Sequence, residues 1–243
     1  VSAGGGQAPA RQAAVNGGVP ATIPALTINK VCGSGLKAVM LAAQAVRAGD
    51  ARLVLAGGME SMSNVPFYAR GLRDGVKLGN QTLEDGLIHD GLWCSFGDCH
   101  MGGYAEYTAD KAGVTRSDAD EFSLHSHQKA VEATREGRFR NEIVPVEVKG
   151  RRGVTVVDTD ESPRADSSLE SLAKLRPAFV RDAPEGLDEY VVTAGNAPGL
   201  NDGAAAGVVA SLEYAEAHGV GGDAVIPEIG RAHVRTPVTP QSP

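Results

Sequence analysis

The sequence predicts a layered α/β protein, and three observations carry that expectation. Hydrophobic residues make up 42% of the 243 but aromatic residues only 5%, so the core must rest on Val, Leu, Ile and Ala. Glycine is abundant, at 31 residues, which suits turns and close backbone approaches. A strand–helix–strand pattern lies near the start of the chain. Together these fit helices layered on a sheet better than a β-sandwich.

Residues 11 to 18 read as the end of a helix closed by Gly17-Gly18. Ile23 to Val31 is β-branched enough to be a strand, and it delivers Cys32 at its end. After Gly33-Ser34-Gly35, residues Leu36, Val39, Met40, Ala43 and Val46 follow the i, i+3, i+4, i+7 spacing of an amphipathic helix. Gly49 and Asp50 stop it, and Arg52 to Ala56 reads as a short buried strand ending at Gly57-Gly58. Strand, helix and strand this close together predict a βαβ unit with parallel strands. From Asn64 the texture changes to loops and short elements. A helix is expected over Asp118 to Glu136, capped by Ser117 and stopped at Gly137. Ile143 to Val148 and Val154 to Val157 read as strands joined by a basic turn, and Leu169 to Leu175 as a short helix. Buried-strand character returns at Val191 to Thr193, before a glycine- and Asn-rich loop and an Ala-rich element. The expected organisation is therefore an α/β domain over 1–63 and 192–227, interrupted by an inserted α+β domain over 64–191. Residues 228–243 read as a non-native tail, because Glu228 to Thr239 resembles the translation of a sequencing-library adapter. The first residue, not Met, is expected to follow the natural start.

The charges sum to −7, which argues against nucleic acid or an anionic membrane as partner. No apolar run approaches the ~20 residues of a membrane span. Three cysteines, Cys32, Cys94 and Cys99, are too few for a disulfide scaffold and point to a reducing, cytoplasmic setting. Cys94, Cys99 and His100 lack a second ligand pair, so no metal site is expected. His125 and His127, two apart on a helix, read as solvated surface. Cys32 is the sharpest candidate for chemistry. It lies at a strand-to-helix turn flanked by Gly33 and Gly35, where a helix N-terminus favours its thiolate and small neighbours let a carbonyl approach the sulfur. The alternative is a buried cysteine acting as a small hydrophobe.

The run INKVCGSGLKAVMLAAQAVRAGDARLVLAGGMESMSN, from Ile28 to Asn64, resembles the nucleophile region of the thiolases. GLW…HMG (Gly91 to Gly102), GRFRNEIVPVEV (Gly137 to Val148), LAKLRPAF (Leu172 to Phe179) and VTAGNAPGLNDGAAA (Val192 to Ala206) follow in the family's order. Within the family the chain is most similar to acetyl-CoA C-acetyltransferases. The resemblance implies a thiolase-like layered α/β/α fold, of which this chain holds only the first half with its inserted loop domain. It implies ping-pong transfer of an acyl group through Cys32, condensing two acetyl-CoA or performing the reverse thiolysis. Coenzyme A and acyl-CoA are then substrates, with no covalently bound cofactor. The family's CoA contacts fall on Leu92, His100, Met101, Arg164, Ser171, Ala194 and Ala197. Pro198 stands where the family usually has Ser. The GHP, CGGG and NEAF motifs, which carry the family's catalytic His, second Cys and Asn, are absent from these 243 residues. The chain alone is therefore expected to be inactive and to expose apolar surface, while its full-length parent is expected to be a dimer or tetramer. Alternative readings are a longer-chain 3-ketoacyl-CoA thiolase and a non-catalytic CoA-binding or association module.

Overall fold

The computed structural model describes residues 2–219. In chain order its elements are α1 (Pro9–Asn16), α2 (Ser34–Ala48), β1 (Leu53–Ser61), β2 (Phe67–Tyr68), β3 (Glu84–Asp85), β4 (Trp93–Cys94) and β5 (Cys99–His100). They continue with α3 (Met101–Ala112), α4 (Arg116–Arg135), β6 (Val146–Gly150), β7 (Gly153–Val157), α5 (Leu169–Ala173), β8 (Asp202–Ala210) and α6 (Leu212–Ala217). The chain forms two compact units, one of residues 2–91 with 200–219, the other of residues 92–199. The expected tail at 228–243 lies outside the described residues.

In the first unit, β1 and β8 pair antiparallel over nine residues, from Leu53↔Ala210 to Ser61↔Asp202, and α2 packs on both strands. This corrects the parallel βαβ expectation. Ile23–Val31 forms no regular strand, has only an isolated bridge, Lys30↔Cys32, and joins no sheet among the described residues. Branched side chains favour a pleated surface, but a strand also needs a neighbour to take its N–H and C=O groups. β1 also runs through Gly57-Gly58 rather than stopping there. Both glycines are required by packing: a Cβ at Gly57 would overlap the Ala205 carbonyl, and one at Gly58 would lie 3.3 Å from Gly35 Cα. The second contact is the important one, because it lets the start of α2 lie directly on β1. Met40, Ala42 and Ala43 of α2 and Ala56 of β1 are the buried residues of this layer. Much apolar surface remains exposed in the unit, including Leu26, Leu36, Leu55, Met59 and Val208.

The far end of the β1–β8 ladder is fixed by Asp202. Its carboxylate accepts the Ser63 backbone N–H at 3.0 Å and the Ser63 hydroxyl. These bonds, the hydroxyl's first, hold the Asp202 pKa below the ordinary carboxylate value.

The second unit is organised around α3, α4 and α5. Helix α4 starts two residues earlier than Ser117 predicts. Thr115 is the cap: its hydroxyl accepts from Asp118 N–H, while the Asp118 carboxylate accepts the Thr115 N–H at 2.9 Å. That reciprocal pair satisfies two otherwise orphaned donors and outcompetes Ser117. Ser168 and Ser171 form the same device at α5. β6 and β7 form a hairpin as the sequence predicts, with a tighter turn at Arg151-Arg152. The returning segment at Val191–Thr193 makes a single bridge, Pro177↔Thr193, in place of a ladder.

Candidate active site

Cys32 sits at the apex of a tight turn that launches α2. The preceding residue, Val31, has φ of 50°, a left-handed conformation that a β-branched side chain adopts only under constraint. The constraint is local and dense. Asn29 Oδ1 accepts the Val31 N–H at 2.8 Å, and Ser34 Oγ accepts the Lys30 N–H at 2.8 Å while donating to the Val31 carbonyl at 2.6 Å. Gly33 N–H and Ser34 N–H close the turn onto Lys30 and Val31 carbonyls, each at 3.1 Å. Cys32 is exposed, so it is not a packed hydrophobe. The N-cap Gly33 precedes the first turn of α2, whose leading N–H groups have no partner within the helix. The Gly33 and Ser34 N–H groups are spent on the turn, while Gly33 and Gly35 bring no side chain beside the sulfur.

The seven residues that the resemblance assigns to CoA all fall in the second unit. His100 caps α3, its Nδ1 accepting the Gly102 N–H at 3.0 Å. A neutral ring therefore carries its proton on Nε2, where it can donate. The ring stacks on Phe179 at 4.7 Å between centroids, and Gly102 is glycine because a Cβ would overlap that same phenyl ring. Met101 opens α3 beside it and is 39% exposed. Leu92 closes a π-helical turn, Ile88–Leu92, and is half-buried.

Ala194 and Ala197 lie in a tight loop. Ala197 N–H donates to the Thr193 carbonyl at 3.0 Å, and Gly195 N–H to Thr193 Oγ1 at 3.2 Å. Gly195 presses on Leu172 and Leu175, leaving no room for a Cβ, so the loop rests on the α5 region that carries Ser171. The Ser171 hydroxyl gives its proton to the Ser168 carbonyl at 2.8 Å and accepts the Ser168 N–H at 3.1 Å. It retains acceptor capacity only. Pro198, at the end of the loop, is exposed.

Arg164 stands apart from these, beside a hollow of about 240 Å³ that it lines with Gln128, Val131, Glu132, Arg135 and Ala165. Its backbone N–H donates to His127 Nδ1 at 3.2 Å. His127 is therefore a tether between α4 and this segment, rather than free surface. The second unit thus gathers His100, Met101, Ser171, Ala194 and Ala197 on one hydrogen-bonded frame, with Leu92 and Arg164 at separate places.

Sequence reasoning missed the groups that hold that frame. Glu106 is 1% exposed, and its carboxylate accepts the Val191 and Val192 N–H groups at 2.7 and 2.9 Å. Asn196 donates to Asp120 Oδ1 at 3.0 Å and the Val191 carbonyl at 2.9 Å, and accepts the Thr193 N–H at 2.8 Å. Asp120, buried, is paired with Arg116 at 2.8 Å, and Arg116 also donates to the Leu172 and Leu175 carbonyls. The available signal was Glu106 itself, a charge on the small-residue face of α3 formed with Gly102, Gly103 and Ala109. Among the described residues no group of three or more His, Cys, Asp or Glu could hold a metal ion, and no helix is long and apolar enough to cross a membrane.

Comparison with known proteins bears on both units. Residues 1–213 match the family described as "Thiolase, N-terminal domain". The chain is 51% identical over 221 residues to the acetyl-CoA acetyltransferase of Pseudomonas aeruginosa, covering 90% of this chain and 54% of that protein. It is 48% identical over 235 residues to a probable acetyl-CoA acyltransferase of Staphylococcus epidermidis, covering 96% and 58%. Its fold is similar to the structure of acetyl-CoA acetyltransferase from Syntrophomonas wolfei, with TM-score 0.80, 40% identity, and coverage of 89% and 53%. The chain spans about half the length of these relatives. The extent of the match, over a chain with an α/β architecture and a cysteine at a helix-launching turn, identifies the family: the chain belongs to the thiolases, carrying their N-terminal domain.

Proposed function

We propose that this chain supplies the acyl-carrying cysteine and the CoA-binding frame of an acetyl-CoA C-acetyltransferase. The observation that carries the reading is the Cys32 turn. An exposed sulfur at a helix N-terminus, preceded by the constrained Val31 and followed by Gly33, is suited to attack on a thioester carbonyl. In the first half-reaction the Cys32 sulfur attacks the acyl-CoA carbonyl. The oxyanion that forms is met by N–H groups at the start of α2, CoA leaves as its thiol, and the acyl group stays on Cys32. In the second, a base takes the α-proton of acetyl-CoA, the resulting carbanion attacks acyl-Cys32, and the Cys32 thiolate leaves. In the degradative direction Cys32 attacks the 3-keto carbonyl of acetoacetyl-CoA, the Cα–Cβ bond breaks to release acetyl-CoA, and free CoA then takes the acyl group from Cys32.

On the CoA side, His100 Nε2–H is available to donate to a carbonyl or amide of the substrate. The Ala194–Ala197 loop offers close backbone approach to the pantetheine arm, and Arg164 offers charge to a phosphate. Pro198 has no N–H and fixes its own φ, so it offers the pantetheine arm no hydrogen-bond donor. The second half-reaction needs a base, and in this reading the GHP histidine and CGGG cysteine of the family supply it outside the 243 residues. The chain alone then acylates without sustained turnover.

The test is mass spectrometry of the full chain after exposure to acetyl-CoA at mildly alkaline pH. One acetyl group on Cys32, absent from Cys32→Ser, is the expected result. Acetylation of Cys94 or Cys99 in preference to Cys32 would overturn the reading.

A further inference from the structure

Cys94 and Cys99 take no part in the acyl-transfer reading, yet they face one another. They are direct cross-strand partners in the β4–β5 hairpin, closed by the turn Ser95-Phe96-Gly97-Asp98. Opposite residues of an antiparallel pair have Cα atoms about 4.5 to 5.5 Å apart, inside the window of about 4.4 to 6.8 Å that a disulfide accepts. Both are free thiols and both are half-buried, within reach of a small molecule.

Their surroundings differ in a directed way. Cys94 Sγ accepts the Gly97 N–H at 3.4 Å and lies 3.6 Å from the Tyr104 hydroxyl. The hairpin is shaped to make those contacts. Asp98 turns the chain with φ of 48° and takes the Trp93 indole N–H at 3.1 Å, while Gly97 leaves the space that the Tyr104 hydroxyl occupies. Hydrogen bonds from the Gly97 backbone, Tyr104 and the Phe96 backbone draw the Cys94 thiol pKa down, whereas burial, then the charges of Cys94, Asp182 and Asp98, push that of Cys99 up.

We infer that Cys94 and Cys99 form a reversible dithiol–disulfide pair that closes the β4–β5 hairpin, with Cys94 the attacking sulfur and a low-molecular-weight disulfide the oxidant. The Cys94 thiolate attacks one sulfur of the small disulfide, breaking its S–S bond and expelling one thiolate. Cys99 gives up its proton and attacks the Cys94 sulfur of the mixed disulfide, expelling the second. Two protein thiols are oxidised, one small disulfide is reduced to two thiols, and the two protons leave on those thiols. The hairpin ends at His100, the cap of α3, so the cross-link stiffens the turn beside a proposed CoA contact. That consequence rests on the CoA reading; the cross-link does not, and its test involves no CoA.

The full chain is equilibrated with oxidised and reduced glutathione over a range of ratios, quenched, alkylated and peptide-mapped. The expected product is an intrachain Cys94–Cys99 link that appears and disappears with the ratio, with Cys32 in no link. In a brief, limiting alkylation of the unaltered chain, Cys94 labels at least about tenfold faster than Cys99, and urea abolishes the difference. In Cys99→Ser the glutathione mixed disulfide accumulates on Cys94. The inference is overturned if both cysteines stay reduced at ratios that modify Cys32, if the link joins Cys32, or if the two thiols label at equal rates in the folded chain.

Discussion

The buried carboxylate of Glu106 offers the sharpest test of how the second unit holds its loop. Its two oxygens each take one backbone N–H, from Val191 and Val192, at a site where the side chain is 1% exposed. Glu106→Ala leaves both donors without a partner, at about 1 to 3 kcal/mol each. Relief of the carboxylate's own burial offsets part of that, so a loss of about 3 kcal/mol is expected. Glu106→Gln separates hydrogen bonding from space filling. The amide keeps one acceptor oxygen and turns an NH2 toward the other N–H, losing one bond and opposing two donors, for about 2 kcal/mol. Hydrogen exchange of the Val191 and Val192 amides reads this directly. Protection should fall by roughly a hundredfold in Glu106→Ala, tenfold per 1.4 kcal/mol, and by more than tenfold in Glu106→Gln. If Glu106→Gln leaves both amides as protected as in the unaltered chain, the carboxylate is filler and the account of the loop is wrong.

Other consequences follow from the same geometry. Gly102→Ala sets a helix-propensity gain of about 1 kcal/mol against overlap with the Phe179 ring that costs about 1 to 3 kcal/mol; net destabilisation in urea titration is expected, with loss of the His100 stack. Arg164→Ala should weaken CoA binding by about tenfold, the worth of one charge-assisted contact, and leave pantetheine binding unchanged; calorimetry with both ligands checks it. Asp90, Asp118 and Asp202 are all held below the ordinary carboxylate pKa, chiefly by hydroxyl hydrogen bonds from Tyr68, Thr115 and Ser63. A depressed carboxylate stabilises the fold fully above its unfolded pKa of about 4 and loses that contribution as pH falls through the lower folded value. Protection of the Ser63 amide should therefore be flat above about pH 4 and fall below it, and Asp202→Asn should remove the dependence.

What the sequence made legible is what local chemistry dictates. Helix α2 followed from its apolar spacing and from Gly49, whose φ of 82° closes it. The β6–β7 hairpin followed from two branched runs around a turn. Strand pairing did not follow, because partners lie far apart in the chain: β1 meets β8 across residues 62–201, and nothing in Arg52–Ala56 indicates whether its neighbour is Ile23–Val31 or the Ala-rich run. The error at Gly57-Gly58 has the same origin. Glycine pairs read as a stop when only local conformational freedom is weighed. Here they mark where another backbone comes close.

The site divides along the same line. Cys32 was legible because its flanking glycines and the following helix are contiguous with it. The frame under Ala194 and Ala197 was not, since it is assembled from Glu106, Arg116, Asp120 and Asn196, no one of which forms a motif. Each of these does a job that sequence neighbours cannot do for it: Glu106 saturates two N–H groups of an extended segment with no ladder, and Asn196 ties that segment to Asp120. An extended segment that leaves its sheet must have its amides satisfied by side chains or water. A buried acid on a small-residue helix face is therefore a searchable sign of such a segment nearby. In this chain the sign leads from α3 to the loop proposed to hold the pantetheine arm.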